Sequence, residues 1–116
     1  MATGHETKLL NKMRDAGKAK YGERLVIIKY HGSQYGEAGV SDLLGCLDGT
    51  FFAIEVKAPE SYLVKGVPSV EKAIEKGPTL KQLAFLDRVR EAGGISAVCA
   101  SVEGFLETLS RCENLL

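Results

Sequence analysis

Two acids and a lysine near the middle of the chain have the spacing of a hydrolytic centre: Asp42 closes Gly39-Val40-Ser41-Asp42, and Glu55 and Lys57 stand in Ile54-Glu55-Val56-Lys57. The two-residue period of a strand sends Glu55 and Lys57 to one face and Val56 to the other, so acid and amine share a volume. Between the two segments, Asp48-Gly49-Thr50 has hairpin-turn chemistry, and such a turn returns Asp42 on the preceding strand to the side of Glu55. Two carboxylates then face one cation. Oxygen donors suit Mg²⁺ or Mn²⁺ better than zinc, and the Val56 carbonyl offers a further hard ligand. The reaction that calls for this set is phosphodiester hydrolysis, in which hydroxide must approach an already anionic phosphorus. The ion lowers the pKa of a water and offsets charge developing on the phosphate oxygens, while Lys57 orients the nucleophile or polarises a non-bridging oxygen. The same residues also admit a plainer reading, an exposed strand ion pair between Glu55 and Lys57 that contributes little to stability.

The residues around this centre resemble the PD-(D/E)XK nuclease superfamily and, within it, the virus-type replication-repair nuclease domains. Members of that family carry a helix with a glutamate, then G-x-x-D, a strand with E-x-K, and a helix opening with T-x-x-Q. This chain presents Glu6, Gly39 to Asp42, Glu55 to Lys57, and Thr79-Leu80-Lys81-Gln82 in that order, and the similarity spans nearly all of its 116 residues. Ser41 stands where proline is common in the superfamily. The resemblance implies an α/β, restriction-endonuclease-like fold with an αβββαβ core, a mixed sheet flanked by helices, filling one domain over 1–116. It implies a metal-dependent endodeoxyribonuclease with Glu6, Asp42, Glu55, Lys57 and Gln82 as catalytic residues. Asp42, Glu55 and Val56 would hold Mg²⁺ or Mn²⁺, Glu6 would order a water, and Gln82 would stand at the rim within reach of phosphate. Gln34 and Tyr35, in the loop leading to Asp42, are placed for substrate contact, and Ser41, Lys65 and Lys81 complete the expected substrate-binding set. The implied partner is branched DNA, such as a four-way junction in replication or repair. A non-catalytic nucleic-acid-binding or assembly module that keeps the nuclease fold is the alternative. Degenerate members usually lose an acid or the lysine, and here Asp42, Glu55, Lys57 and Gln82 are all present.

Composition sets bounds on these readings. A chain of 116 residues, 45% hydrophobic, supports one domain with a modest core. Fifteen basic and fifteen acidic side chains cancel, but unevenly. Residues 1–36 carry seven Lys or Arg against three Asp or Glu, net +4, and residues 37–57 carry one against four, net −3. The acidic stretch is the expected metal pocket, where a divalent ion would offset the excess. The basic stretch either holds phosphates, with affinity that falls as salt rises, or is an ordinary solvated surface. Cys46, Cys99 and Cys112 are odd in number and lack C-x-x-C spacing, which points away from a disulfide framework or a cysteine zinc site. With no long apolar run and no secretory leader, a soluble intracellular protein is expected, virus-encoded if the resemblance holds, with no membrane partner and no small-molecule cofactor.

These residues need elements to position them. Glu6 shares a helical face with Leu9, Leu10 and Met13, so its carboxylate points inward or simply favours the first helical turn, and Gly17 is expected to end that helix. Leu25 to Tyr30 reads as a buried strand and His31 to Gly36 as a polar loop, with His31 a strand-end histidine or a phosphate contact. Phe51 to Lys57 forms the central strand, ended by Pro59. Glu60 to Pro78 shows no clear element beyond a short helix or flap over alternating Lys and Glu. Thr79 and Gln82 make a capping box, with Leu83, Leu86 and Val89 along the helix that follows. Ile95 to Ala100 is a strand, and Ser101 caps a last helix containing Val102, Phe105, Leu106 and Leu109. The predicted order is αβββαβα. A homodimer is expected, because a junction needs two symmetric nicks, with apolar residues of the last helix (Phe105, Leu106, Leu109, Leu115, Leu116) as its surface.

Overall fold

The sequence spacing of apolar residues is realised in a computed structural model that describes residues 4–30 and 38–113. Helix α1 (Gly4–Tyr21) buries Glu6, Leu10, Met13, Gly17 and Tyr21 along one stripe. It runs past the expected stop at Gly17, which packs rather than caps: a Cβ there would lie 3.0 Å from Leu25 and 3.1 Å from Phe105. The left-handed residue that ends the helix is Gly22, at φ +57°.

Strands β1 (Leu25–Lys29), β2 (Leu43–Leu47) and β3 (Thr50–Val56) form an antiparallel meander. The β2–β3 turn is Asp48-Gly49 at φ 51° and 85°, two left-handed residues that suit the twist of a tight hairpin. The chain then makes a short 3-10 turn (Pro59–Tyr62), a small hairpin of β4 (Leu63–Val64) and β5 (Val67–Pro68), and helix α2 (Val70–Lys76). Helix α3 (Leu80–Glu91), strand β6 (Ile95–Cys99) and helix α4 (Val102–Glu113) complete the order. Strand β6 lies parallel to β3, giving a mixed four-stranded sheet ordered β1-β2-β3-β6. The fold class is therefore α/β with a mixed sheet flanked by helices, as expected.

Alternation along β3 divides the core. Phe52, Ile54 and Val56 face α1 and α4, packing with Leu10, Met13, Leu43, Leu47, Phe105 and Leu109. Ala53 faces the other way, towards Leu86 and Val89 of α3. Phe105 and Leu109 are fully buried and Leu106 packs against the same core, so the last helix does not offer the apolar surface expected for a dimer; Leu115 and Leu116 lie outside the described residues. Among the described residues no helix is long and apolar enough to cross a membrane.

Candidate active site

The β2–β3 register pairs Leu43 with Ile54, and one step further along the same antiparallel frame Asp42 stands opposite Glu55. Asp42 Oδ2 accepts the Val56 N–H at 2.8 Å, taking over the ladder where β2 has ended. A strand residue sends its N–H and C=O to the same edge, so the Val56 carbonyl leaves on the Asp42 side. Glu55 is buried, and its Oε2 has no hydrogen-bond donor. Burial, then the hydrogen bond and charge of Asp42, push the Glu55 carboxyl up to about 9, against the smaller lowering by Lys57; Glu6 adds to the rise. At neutral pH the Glu55 carboxyl thus keeps its proton.

The side chains expected to surround this pair are distributed as follows. Glu6, buried at the start of α1, accepts a hydrogen bond from Ser61 Oγ at 3.5 Å. Lys57 extends the β3–β6 pairing by donating its N–H to the Cys99 carbonyl at 3.0 Å, and its half-buried side chain falls on the Glu55 side. Gly39, at φ +82°, lies against the first turn of α3: a Cβ there would come within 2.6 Å of the Lys81 carbonyl. That contact seats the loop leading to Asp42 on the turn that carries Lys81 and Gln82. Gln82 Oε1 accepts the Thr79 N–H at 2.8 Å and Thr79 Oγ1 accepts the Gln82 N–H at 3.1 Å, completing the capping box and leaving the Gln82 amide NH₂ as a donor.

Other expectations shift. Ser41 is fully buried and donates to the Leu43 carbonyl at 3.4 Å, so its hydroxyl closes the loop and is turned away from any substrate. Lys65 sits at the β4–β5 turn with φ 51°, out on the small hairpin. Gln34, Tyr35 and His31 lie outside the described residues. Part of the basic excess in residues 1–36 is used internally: Arg24 donates to Asp48 and to Glu113. That pairing holds the Asp48 carboxyl below its usual range.

Two residues near the acids had no signal in the sequence. Ser61 and Tyr62 follow Pro59 in the 3-10 turn, and burial together with the charges of Glu6 and Glu55 raises the Tyr62 hydroxyl pKa. Only the position of the turn, two residues beyond Lys57, hinted that it would fold back on α1. Beside this turn opens a cleft of about 350 Å³ between α1 (His5, Lys8, Lys12), Pro59 and Glu60, and the start of α4 (Ser101, Glu103). Its lysines are matched by Glu60 and Glu103, so it is not an anion site by charge alone.

Among the described residues no group of three or more His, Cys, Asp or Glu is placed to hold a metal ion. The donors at hand are two carboxylates and a backbone carbonyl. A buried carboxylate oxygen without a donor, in an all-oxygen set, fits a hard divalent cation. No protein-family model matches the chain, and no curated protein matches it.

Proposed function

We propose that this chain is a divalent-metal-dependent endonuclease that hydrolyses DNA phosphodiesters, selecting branched DNA such as four-way junctions. The observation that carries this reading is the Asp42–Glu55 pair, held together where Asp42 continues the β2–β3 pairing by accepting the Val56 N–H, with Lys57 on the Glu55 side and Glu55 Oε2 left without a donor. A buried pair of acids works against folding, and the hairpin does not need one. A cation site gives it a use. The resemblance of Gly39 to Asp42, Glu55 to Lys57, and Thr79 to Gln82 to the PD-(D/E)XK nucleases supports the same conclusion.

Asp42, Glu55 and the Val56 carbonyl would hold Mg²⁺ or Mn²⁺. A divalent ion bound there supplies the positive charge that polarises a phosphate and acidifies water. Lys57 holds a non-bridging phosphate oxygen on the Glu55 side, and the Gln82 amide NH₂, anchored through its own oxygen in the α3 cap, directs a second hydrogen bond to the substrate. Glu6 accepts a hydrogen bond from the attacking water and aims it, its own position fixed by α1 and by Ser61.

The test is incubation of purified protein with labelled linear, flap and four-way DNAs, with and without Mn²⁺. Mn²⁺-dependent cleavage of branched substrates, absent in Asp42→Asn and Glu55→Gln, is expected. Binding to DNA without cleavage under any metal condition would reassign the chain to a non-catalytic module.

A further inference from the structure

The face of the sheet that carries Glu55 is covered on one side only. Along β3 it displays Phe51, Ala53, Glu55 and, past the strand end, Lys57, and α3 covers Ala53 through Leu86 and Val89. On the β1 side of that helix the same face lies open: Val26 is 62% exposed, Ile28 53% and Phe51 46%, while Leu25 and Ile27 are buried in the core behind them. The register arranges this surface in rows across the strands. Val26, Cys46 and Phe51 form one row, and Ile28, Leu44 and Ala53 the next. Tyr30 opens the third, since its N–H donates to the Asp42 carbonyl at 2.8 Å and carries the β1–β2 pairing one residue past Lys29. The half-buried Tyr30 side chain therefore falls on the Val26 and Ile28 side, one strand spacing of about 4.8 Å from the acid that faces Glu55.

The chemistry of the rows selects their occupant. The two rows beside the acids hold only uncharged side chains, so they lack the cations that a duplex backbone needs, and the acid pair at their end repels an anionic membrane. A nucleobase asks for the opposite: an uncharged surface, aromatic or branched-aliphatic, on which its ring can lie. Only an unstacked base has its faces free, and such bases occur in single-stranded arms and at branch points, not inside a paired duplex. With its base on Tyr30 and Ile28, a nucleotide directs its phosphate along the third row, towards Asp42, Glu55 and the Lys57 side.

We propose that Tyr30 and Ile28, with Val26 and Phe51 beyond them, form a subsite for an unstacked nucleobase of the bound DNA strand. The subsite rests on the nuclease reading and deepens it, because it makes an unpaired base beside the scissile phosphate the feature that is selected. Fluorescence anisotropy on the whole chain, with a labelled thymidine oligonucleotide and with one of equal length whose sugars carry no bases, separates base from backbone. Metal is left out, so binding is read without cleavage. Wild type should bind the thymidine strand about tenfold more tightly than the abasic strand. Tyr30→Ala should lose that preference while binding the abasic strand as before, and Tyr30→Phe should keep it. Ile28→Thr, a β-branched change at an exposed position, should reduce the preference with an unchanged far-ultraviolet spectrum. Equal affinity or no affinity of wild type for the two strands, or a preference that survives both Tyr30→Ala and Ile28→Thr, overturns the subsite even where Mn²⁺-dependent cleavage is found. A base preference that these variants remove, with no cleavage under any metal condition, supports the subsite and counts against the nuclease instead. A doubled wild-type mass in light scattering that Ile28→Asp returns to 12.5 kDa would give the face to a second copy and overturn the inference.

Discussion

The Asp42 carboxylate accepts the backbone N–H of Val56 at 2.8 Å, so the acid that faces Glu55 also holds the end of the strand carrying it. Charge and scaffold are combined in one side chain. Asp42→Ala leaves that N–H without its acceptor, a loss of about 1–3 kcal/mol, although it removes a like charge from beside Glu55. Asp42→Asn keeps an acceptor oxygen and removes the charge, so it should match or exceed wild-type stability. Urea unfolding of the two variants separates the effects, and equal stability would show that the hydrogen bond carries no weight.

Glu55 makes the metal-free protein sensitive to pH. Between the ordinary value of 4.5 and about 9, the folded chain keeps a proton that the unfolded chain has released. Stability therefore falls as pH rises through this window, by at most ~1.4 kcal/mol per pH unit, and levels off above it. Glu55→Gln should remove that slope and be the more stable protein at pH 8. Thermal melts of both proteins from pH 5 to pH 9 measure the difference; parallel curves would mean that Glu55 titrates normally.

If the pair binds Mn²⁺, the Glu55 proton must leave. Affinity should then rise about tenfold per pH unit below the Glu55 pKa, with close to one proton released per ion. Calorimetry in buffers of different ionisation heat counts the proton. Lys57→Ala should bind Mn²⁺ at least as well as wild type, since it removes a cation from the site, yet fail to cleave. Lost metal binding with normal cleavage would mean that the lysine has been given the wrong part.

Gly39 and Gly49 share a left-handed backbone, at φ +82° and +85°, but differ in surroundings. A Cβ on Gly39 would strike the Lys81 carbonyl, whereas none on Gly49 meets anything within 4 Å. Gly49→Ala should cost about 1–2 kcal/mol from backbone strain alone, and Gly39→Ala roughly twice that. The excess measures the contact between the Asp42 loop and α3. Chemical unfolding of both variants provides the comparison, and equal losses would remove that contact from the account of the site.

Much of this arrangement was legible because it depends on local patterns. The hairpin from Leu43 to Val56 follows from alternation and Asp48-Gly49, and the Thr79–Gln82 box from two side chains three residues apart. What escaped depends on distant partners. Gly17 looks like a helix stop until Leu25 and Phe105 are seen pressing on it. Ser41 looks available until its hydroxyl is found turned onto Leu43, and Phe105 and Leu109 look surplus until the core is seen to absorb them. Between Pro59 and Pro78 the short helix was expected from its alternating Lys and Glu, whereas the small hairpin escaped because strands of two residues leave too little periodicity to read.

The hairpin that joins Asp42 to Glu55 closes a short loop, whereas the parallel pairing of β3 with β6 must wait for the β4–β5 hairpin, α2 and α3 to be laid down between them. Short loops close first, because they sacrifice less chain entropy. The two acids should thus meet before the barrier to folding is crossed, while water still surrounds them and much of the core is unformed. Burial, the largest cause of the raised Glu55 pKa, is then not yet in place at the barrier, so raising pH towards 9 should speed unfolding more than it slows refolding, and stopped-flow chevrons at pH 6 and pH 9 would reveal the opposite if the pocket is already dry there. A cation bound in the finished pocket would then act as a brake on unfolding, holding shut a site that its own charges tend to open.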